Sequence, residues 1–381
     1  MKRNLILFIL VIFLFFSLLI AQGKQKSKVQ KNSIIPGYLC NYQELYQKDP
    51  HAAALQWFKD AKFGLFIHYA LASLLPEGKW EYIQLLEKKG EEVNNELFKK
   101  FTAEKFDADF IADLAVSAGM KYITFTTQHL GRMFMFKTSL SDFSSVNSPA
   151  KRDLVAELAE ACRKRNLGLF LYVPPERART DSIYFKENRT VLKELLTNYG
   201  PIAGIWFDGI NGFYKNPQNY SRLAENFAFI RSLQPQCLIS FKEGALGEED
   251  FITPEHFLLP TPVKWDTELR QERWEIRLER WTKNNKERWE KYFKYKPAEI
   301  NTTMQICLGR DGIGRRGGWI NDEATRHLEA NEAWFLLKVA RSLKANLLLN
   351  IGLRGDGSVH PADIRVLRKI GKRIRKHGFP E

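Results

Sequence analysis

The stretch RDLVAELAEACRKRNLGLFLYV, residues 152–173, decides the fold. Its first part repeats apolar residues at helical spacing and ends at Asn166, with Gly168 just beyond. GLFLYV (168–173) then runs apolar without alternation, as a strand buried on both faces does. Working outward, VLKELLTNYG (191–200) reads as helix with a terminal glycine, and IAGIWFD (202–208) as strand again. RLAENFAFIRSLQP (222–235) is helix and CLISF (237–241) strand. Upstream lie strands FGLFIHYA (63–70) and KYITFTT (121–127). Downstream come strand TTMQICL (302–308), helix EANEAWFLLKVARSLKA (329–345), strand NLLLNIG (346–352) and helix ADIRVLRKIGKRIRKHG (362–378). Strands apolar on both faces, separated by amphipathic helices, predict a parallel sheet covered by helices. Six to eight such units favour an α/β fold closed into a (β/α)8 barrel over an open doubly wound sheet. No Gly-rich fingerprint follows the first strand, which speaks against a dinucleotide fold.

The chain has 381 residues and a net charge of +14. Residues 1–21, MKRNLILFILVIFLFFSLLIA, open with Lys2 and Arg3, run apolar from Leu5 to Ile20 and end in small Ala21. That layout predicts a signal peptide and export, periplasmic or secreted. The competing reading is an uncleaved membrane anchor, since the run is long for a signal. Residues 22–50 read as a polar, basic tether and lead-in, and 51–381 as the barrel domain. The basic balance is compatible with nucleic acid, anionic membrane or an acidic polymer. Export argues against nucleic acid and leaves sulfated or carboxylated glycans, or simply a solvated basic surface. Cys40, Cys162, Cys237 and Cys307 lack metal-ligand spacing and read as thiols, not as a disulfide framework.

A barrel of this kind gathers its active residues at the C-terminal ends of its strands. FGLFIH ends in His68, YITFTTQH in His129, GLFLYVPPE runs into Glu176, and IAGIWFD ends in Asp208. Lys242 and Glu243 follow CLISF. A carboxylate closing an apolar run, as Asp208 does, must be paired, solvated or put to use. Two carboxylates flanking a sugar suffice for glycoside hydrolysis. The second candidate is Glu255, aimed by Pro254 in EEDFITPEHF (248–257), although spacing alone slightly favours a first-turn helix acid after Thr253. Trp80, Trp206, Trp265 and Trp319 lie near these ends, where aromatic faces suit a sugar or merely fill a core.

These motifs resemble a known family. WFKDAKFGLFIHYALAS (57–73), KRDLVAELAEACRKRNLGLFLY (151–172), YGPIAGIWFDG (199–209), DFITPE (250–255) and NLLLNIGLRGDGSV (346–359) are similar to blocks of the α-L-fucosidases of glycoside hydrolase family 29, in family order. The resemblance implies a retaining mechanism on an irregular (β/α)8-like barrel. It implies Asp208 as nucleophile and Glu255 as acid/base. It also implies sugar contacts from His68, His129, the Trp80-Glu81 pair and Lys242, with no metal or cofactor. Three features depart from the family. Its KHHDGF reads QHLGRM (128–133), so Leu130 and Gly131 replace a His and an Asp, and Arg132 adds a cation. The chain stops at Glu381, which implies a barrel without the C-terminal β-sandwich many members carry. Residues 264–296 form a long charged insertion of helical pattern. The expected activity is exo-hydrolysis of fucose or a related sugar from an oligosaccharide or polysaccharide. The alternatives are a non-catalytic glycan-binding barrel and a hydrolase for a different, sulfated sugar.

Overall fold

Strand β1 (Phe63–His68) is buried at all six positions, as are β2 (Tyr122–Thr126) at five and β3 (Gly168–Val173) at six. Each has one face against covering helices and the other inside a barrel, which is why their sequences show no polar alternation. In this computed structural model the described residues are 35–174, 182–208, 220–242, 247–253, 296–308 and 314–381. The predicted signal segment, most of the tether, Glu176, Glu243, Glu255, Trp265 and residues 264–295 of the charged insertion lie outside them. The body that carries the strands spans Gly37–Glu381. It therefore takes in residues 37–50, where Tyr38, Leu39 and Tyr46 are buried.

Around the barrel come β1, β2, β3, β4 (Gly204–Phe207), β5 (Leu238–Phe241), β6 (Phe251–Ile252) and β7 (Glu299–Thr303). Three strands outside the barrel follow in the chain: β8 (Gln305–Leu308), β9 (Gly314–Gly318) and β10 (Arg326–His327). The last barrel strand, β11 (Asn346–Gly352), pairs with both β7 and β1. All eight barrel strands run parallel and in chain order. The ring closes between β6 and β7 through one parallel bridge, Ile252 to Ala298, and the bond from Ile252 N–H to the Pro297 carbonyl at 3.1 Å. The predicted (β/α)8 class is the one found.

The strand predicted at 302–308 is in fact two. Residues Glu299–Thr303 run in the barrel. At Met304 the chain leaves it, and Gln305–Leu308 joins β9 and β10 in a separate antiparallel sheet. The cause is visible in the bonds: Met304 N–H donates to Asn350 on β11, while its carbonyl takes the N–H of Leu328 instead of a barrel neighbour.

Aromatic rings fill the N-terminal half of the barrel, and glycines make room for them. A Cβ on Gly64 would lie 2.3 Å from the Tyr122 ring, and one on Gly204 2.3 Å from the Phe170 ring. The helix Pro50–Ala61, capped by Asp49 on the Ala52 N–H, carries Phe58 into this end. Its ring stands 4.0 Å from Phe251, 5.7 Å from Tyr122 and 5.8 Å from Phe170. That plug seals one mouth. Toward the other, the interior turns polar, with Thr124, Ser240, Thr253, Glu299, Asn301, Thr303 and Asn350 all buried.

Candidate active site

Inward residues recur at every second strand position, so Trp206 and Asp208 share the barrel side of β4. Asp208 is anchored at its backbone by a 3.3 Å bond to the Val173 carbonyl. Its carboxylate accepts from the Tyr172 hydroxyl at 2.9 Å on Oδ2, and Lys242 Nζ stands 3.3 Å from Oδ1. Both partners come from neighbouring strand ends, Tyr172 from β3 and Lys242 just beyond β5. About a fifth of each ionic side chain is exposed, 21% for Asp208 and 23% for Lys242. The carboxylate is thus paired and not fully covered.

His68, at the end of β1, is fixed by a relay behind it. Asn350 Nδ2 donates to the Trp319 carbonyl at 3.0 Å and to Thr303 Oγ1 at 3.2 Å. A carbonyl can only accept, so the amide oxygen of Asn350 is the end that faces His68 Nδ1, 2.7 Å away. Nδ1 therefore carries the proton and Nε2 is left as an acceptor. Burial, followed by the nearby His129 and Lys242, holds the His68 pKa well below 6.5, against the smaller upward pull of Asn350. The ring is a neutral acceptor for a hydroxyl.

Around it stand rings that form a cup. His129 meets His68 edge-on, with centroids 4.9 Å apart, and lies 5.7 Å from Tyr172. Trp319 is 5.1 Å from His68. Trp206 stacks on Tyr172 at 5.6 Å and 22°. Only 2% of Trp206 is exposed, so it makes the floor, and its indole Nε1 donates to Glu299 at 3.0 Å. Glu299 also accepts from the Tyr122 hydroxyl at 2.5 Å, yet burial lifts its pKa to about 7.

The structure thus brings together His68, His129, Trp206, Asp208 and Lys242 from the ends of β1, β2, β4 and β5. It does not bring in Trp80 and Glu81. Trp80 is 55% exposed beneath Lys79, and Glu81 accepts from the Glu77 N–H at the start of their own helix, Gly78–Lys89. The reason is local. Gly78, at φ +53°, starts that helix against the Asn321 carbonyl. Glu255 lies outside the described residues. Sequence reasoning missed Tyr172, Asn350 and Glu299. Asn350 could have been found, as a polar residue inside the otherwise apolar NLLLNIG. Tyr172 could not, because an aromatic in a buried strand reads as core.

The departures at 128–133 form a turn. Arg132 N–H donates to the His129 carbonyl at 2.9 Å, and Gln128 Nε2 to the Arg132 carbonyl at 2.7 Å. Gly131 sits at φ +90°, where a Cβ would lie 2.9 Å from that of Leu71. Arg132 is exposed beside the site.

Comparison with known proteins places this geometry in a context. The family model described as alpha-L-fucosidase matches residues 35–379. The plasma alpha-L-fucosidase of Pongo abelii is 31% identical over 366 residues, 84% of this chain and 68% of that protein. The tissue alpha-L-fucosidase of Rattus norvegicus is 25% identical over 357 residues, covering 85% and 68%. Among solved structures, alpha-L-fucosidase isoenzyme 1 from Paenibacillus thiaminolyticus is similar with a TM-score of 0.67 at 25% identity, over 86% of this chain and 77% of that one. The alpha-L-fucosidase AlfC from Lactobacillus casei, in complex with alpha-L-fucose product, gives 0.64 at 23% identity, over 85% and 98%.

Proposed function

The chain belongs to the α-L-fucosidase family, and we propose that it is an exo-acting glycosidase that releases α-L-fucose, or a sugar of the same shape, with retention. In the first step an Asp208 oxygen bonds to the anomeric carbon as the glycosidic bond breaks, and Glu255 gives its proton to the departing oxygen. In the second, Glu255 takes a proton from water, whose oxygen displaces Asp208 and restores both groups. Tyr172 and Lys242 hold the Asp208 carboxylate in place between steps, while His68 Nε2 accepts from a sugar hydroxyl.

The observation that carries this reading is the Asp208 carboxylate held by Tyr172 and Lys242 at the C-terminal end of the barrel strands beside a neutral His68. The test is hydrolysis of an aryl α-L-fucoside followed by proton NMR. The first sugar formed should be the α anomer, and Asp208→Gly should lose turnover by several orders of magnitude. A β anomer appearing first would rule out the covalent scheme. A second reading, a sulfated or carboxylated sugar, is favoured by the exposed Arg132 beside His129 and by the net charge of +14. Turnover indifferent to substrate sulfation and to salt would remove it. Export belongs to the same proposal, and N-terminal sequencing of the mature protein tests it. Cleavage after Ala21 is the expected result.

A further inference from the structure

We infer that Glu299 and Asn301, neighbours on the inner face of β7, are positioning residues that hold the strand positions leading to the two catalytic carboxylates. The inference rests on the reading above, in which Asp208 and Glu255 are that pair. Each is preceded by two places by a residue that β7 grips. On one side Trp206 donates its indole N–H to Glu299 at 3.0 Å. On the other, Asn301 Nδ2 donates to the carbonyl of Thr253 at 2.9 Å and to its Oγ1 at 2.7 Å. Glu299 takes a hydrogen bond from the Thr253 side chain as well. A hydroxyl has one proton to give and lone pairs to receive, so Thr253 serves both neighbours at once. Glu299 therefore gathers hydrogens from β2, β4 and the end of β6, through Tyr122, Trp206 and Thr253.

The seam where this occurs is the weakest in the barrel. Strand β6 is two residues long, and its tie to β7 is a single bridge. β5 already ties β6 to β4 by backbone pairing, and the buried side-chain bonds across the interior add a second tie from the far side, through β7. All five participants are buried, none more than 2% exposed. Spacing is what the reaction depends on. Retention needs carboxyl groups about 5–5.5 Å apart, inversion about 6.5–9.5 Å. A misplacement of about 1 Å can lower a rate about a hundredfold.

The test uses the full chain with Glu299→Gln, Glu299→Leu, Asn301→Leu and Asp208→Gly, on a nitrophenyl α-L-fucoside and on an alkyl α-L-fucoside. A nitrophenolate leaves without a proton, whereas an alkoxide needs the acid. Asn301→Leu removes the grip on Thr253 at nearly constant volume. It should lower kcat on the alkyl substrate by about thirtyfold or more, yet by no more than about threefold on the nitrophenyl one, with KM little changed. Glu299→Leu frees both sides and should lower kcat about a hundredfold on both substrates. Glu299→Gln keeps an acceptor for Trp206 and a donor for Tyr122, and should stay within about fivefold of wild type. Thermal melting identifies any variant that fails to fold, and Asn301→Leu carries the test if Glu299→Leu does. Equal losses of Asn301→Leu on both substrates, or losses in KM alone, would overturn the inference while an inactive Asp208→Gly left the proposed function standing. An Asp208→Gly variant with wild-type turnover would instead remove the proposed function, and this inference with it.

Discussion

Glu299→Gln should make the protein more stable above neutral pH than below it, relative to wild type. The Glu299 carboxyl is buried, and its pKa is lifted from 4.5 to about 7, because desolvation outweighs the bonds from Tyr122, Trp206 and Thr253. Between these two values the folded protein holds a proton that the unfolded chain has released. Its stabilising share is therefore complete below pH 4.5 and is lost as the pH rises through about 7. At about 1.4 kcal/mol per unit, the loss across the window is about 3 kcal/mol. No discount for solvent screening applies to a group this deep. The amide of the variant does not titrate. For a domain of about 350 residues, at roughly 2 cal/mol/K of unfolding entropy each, 3 kcal/mol corresponds to about 4–5 °C. The assay is Tm for both proteins from pH 4 to pH 8.5, read as the difference between them. That difference should move by about 4–5 °C in favour of the variant, mostly between pH 4.5 and 7. His68 contributes with the opposite sign, since its lowered pKa makes stability fall as the pH drops below 6.5, but it is present in both proteins and subtracts out. A difference that stays flat with pH, or that moves toward wild type, would refute the reasoning.

Tyr172→Phe removes the hydroxyl that donates to Asp208 at 2.9 Å. A bond to a charged group contributes about 1.5–3 kcal/mol, so kcat/KM on an aryl α-L-fucoside should fall roughly 10- to 150-fold; an unchanged value would mean that Lys242 alone holds the carboxylate. His51 Nε2 lies 2.6 Å from Asp250 Oδ1, and that bond raises the His51 pKa above 6.5. The tie is fully present below pH 6.5 and is lost as the pH rises past the raised value, so His51→Ala should lower Tm at pH 6 and much less at pH 9. Equal losses at both pH values would show that packing, not charge, is what His51 supplies. Gly371→Ala places a Cβ 1.8 Å from the Ser117 carbonyl oxygen, where the last helix, Pro361–His377, crosses Ala108–Ser117. Chemical denaturation should show a loss of about 1–3 kcal/mol, and no loss would mean that the two helices part easily.

What the sequence made legible follows from what each strand faces. GLFLYV and NLLLNIG are β3 and β11 to the residue, because both faces of each are apolar or nearly so and glycine marks an end. Asp208, His68, His129 and Lys242 could be picked out because each ends or follows a strand, where an ionisable group is out of keeping with the run before it. Strand β7 was misplaced by three residues at its start. Its sequence, EINTT, has no apolar periodicity, since Glu299, Asn301 and Thr303 point inward to polar partners. Strand β6 is too short to leave a pattern at all. Trp80 was read from its place near a strand end and from the resemblance, Glu81 from the resemblance alone, and nothing local opposed either. Only the helix that starts at Gly78 shows where those side chains go.

The strand that was hardest to read is also the one on which the site depends. Each inward side chain of β7 serves a different part of it. Glu299 holds the floor at Trp206, and Asn301 holds Thr253. Thr303 donates to the Gly318 carbonyl beside Trp319 and accepts from Asn350, the residue that sets the tautomer of His68. A strand with an apolar inner face would pack the barrel at least as well, because a buried polar group contributes little to stability even when fully bonded and costs about 1–3 kcal/mol when it is not. What polar residues add at these positions is direction: a hydrogen bond fixes an orientation that dispersion contacts leave loose. The aromatic plug at the N-terminal mouth can therefore be general packing, whereas the polar layer above it must be specific. Apolar substitutions of similar volume should accordingly be tolerated at Phe58, Phe170 or Phe251, and not at Glu299, Asn301, Thr303 or Asn350, although all seven are buried to a comparable degree.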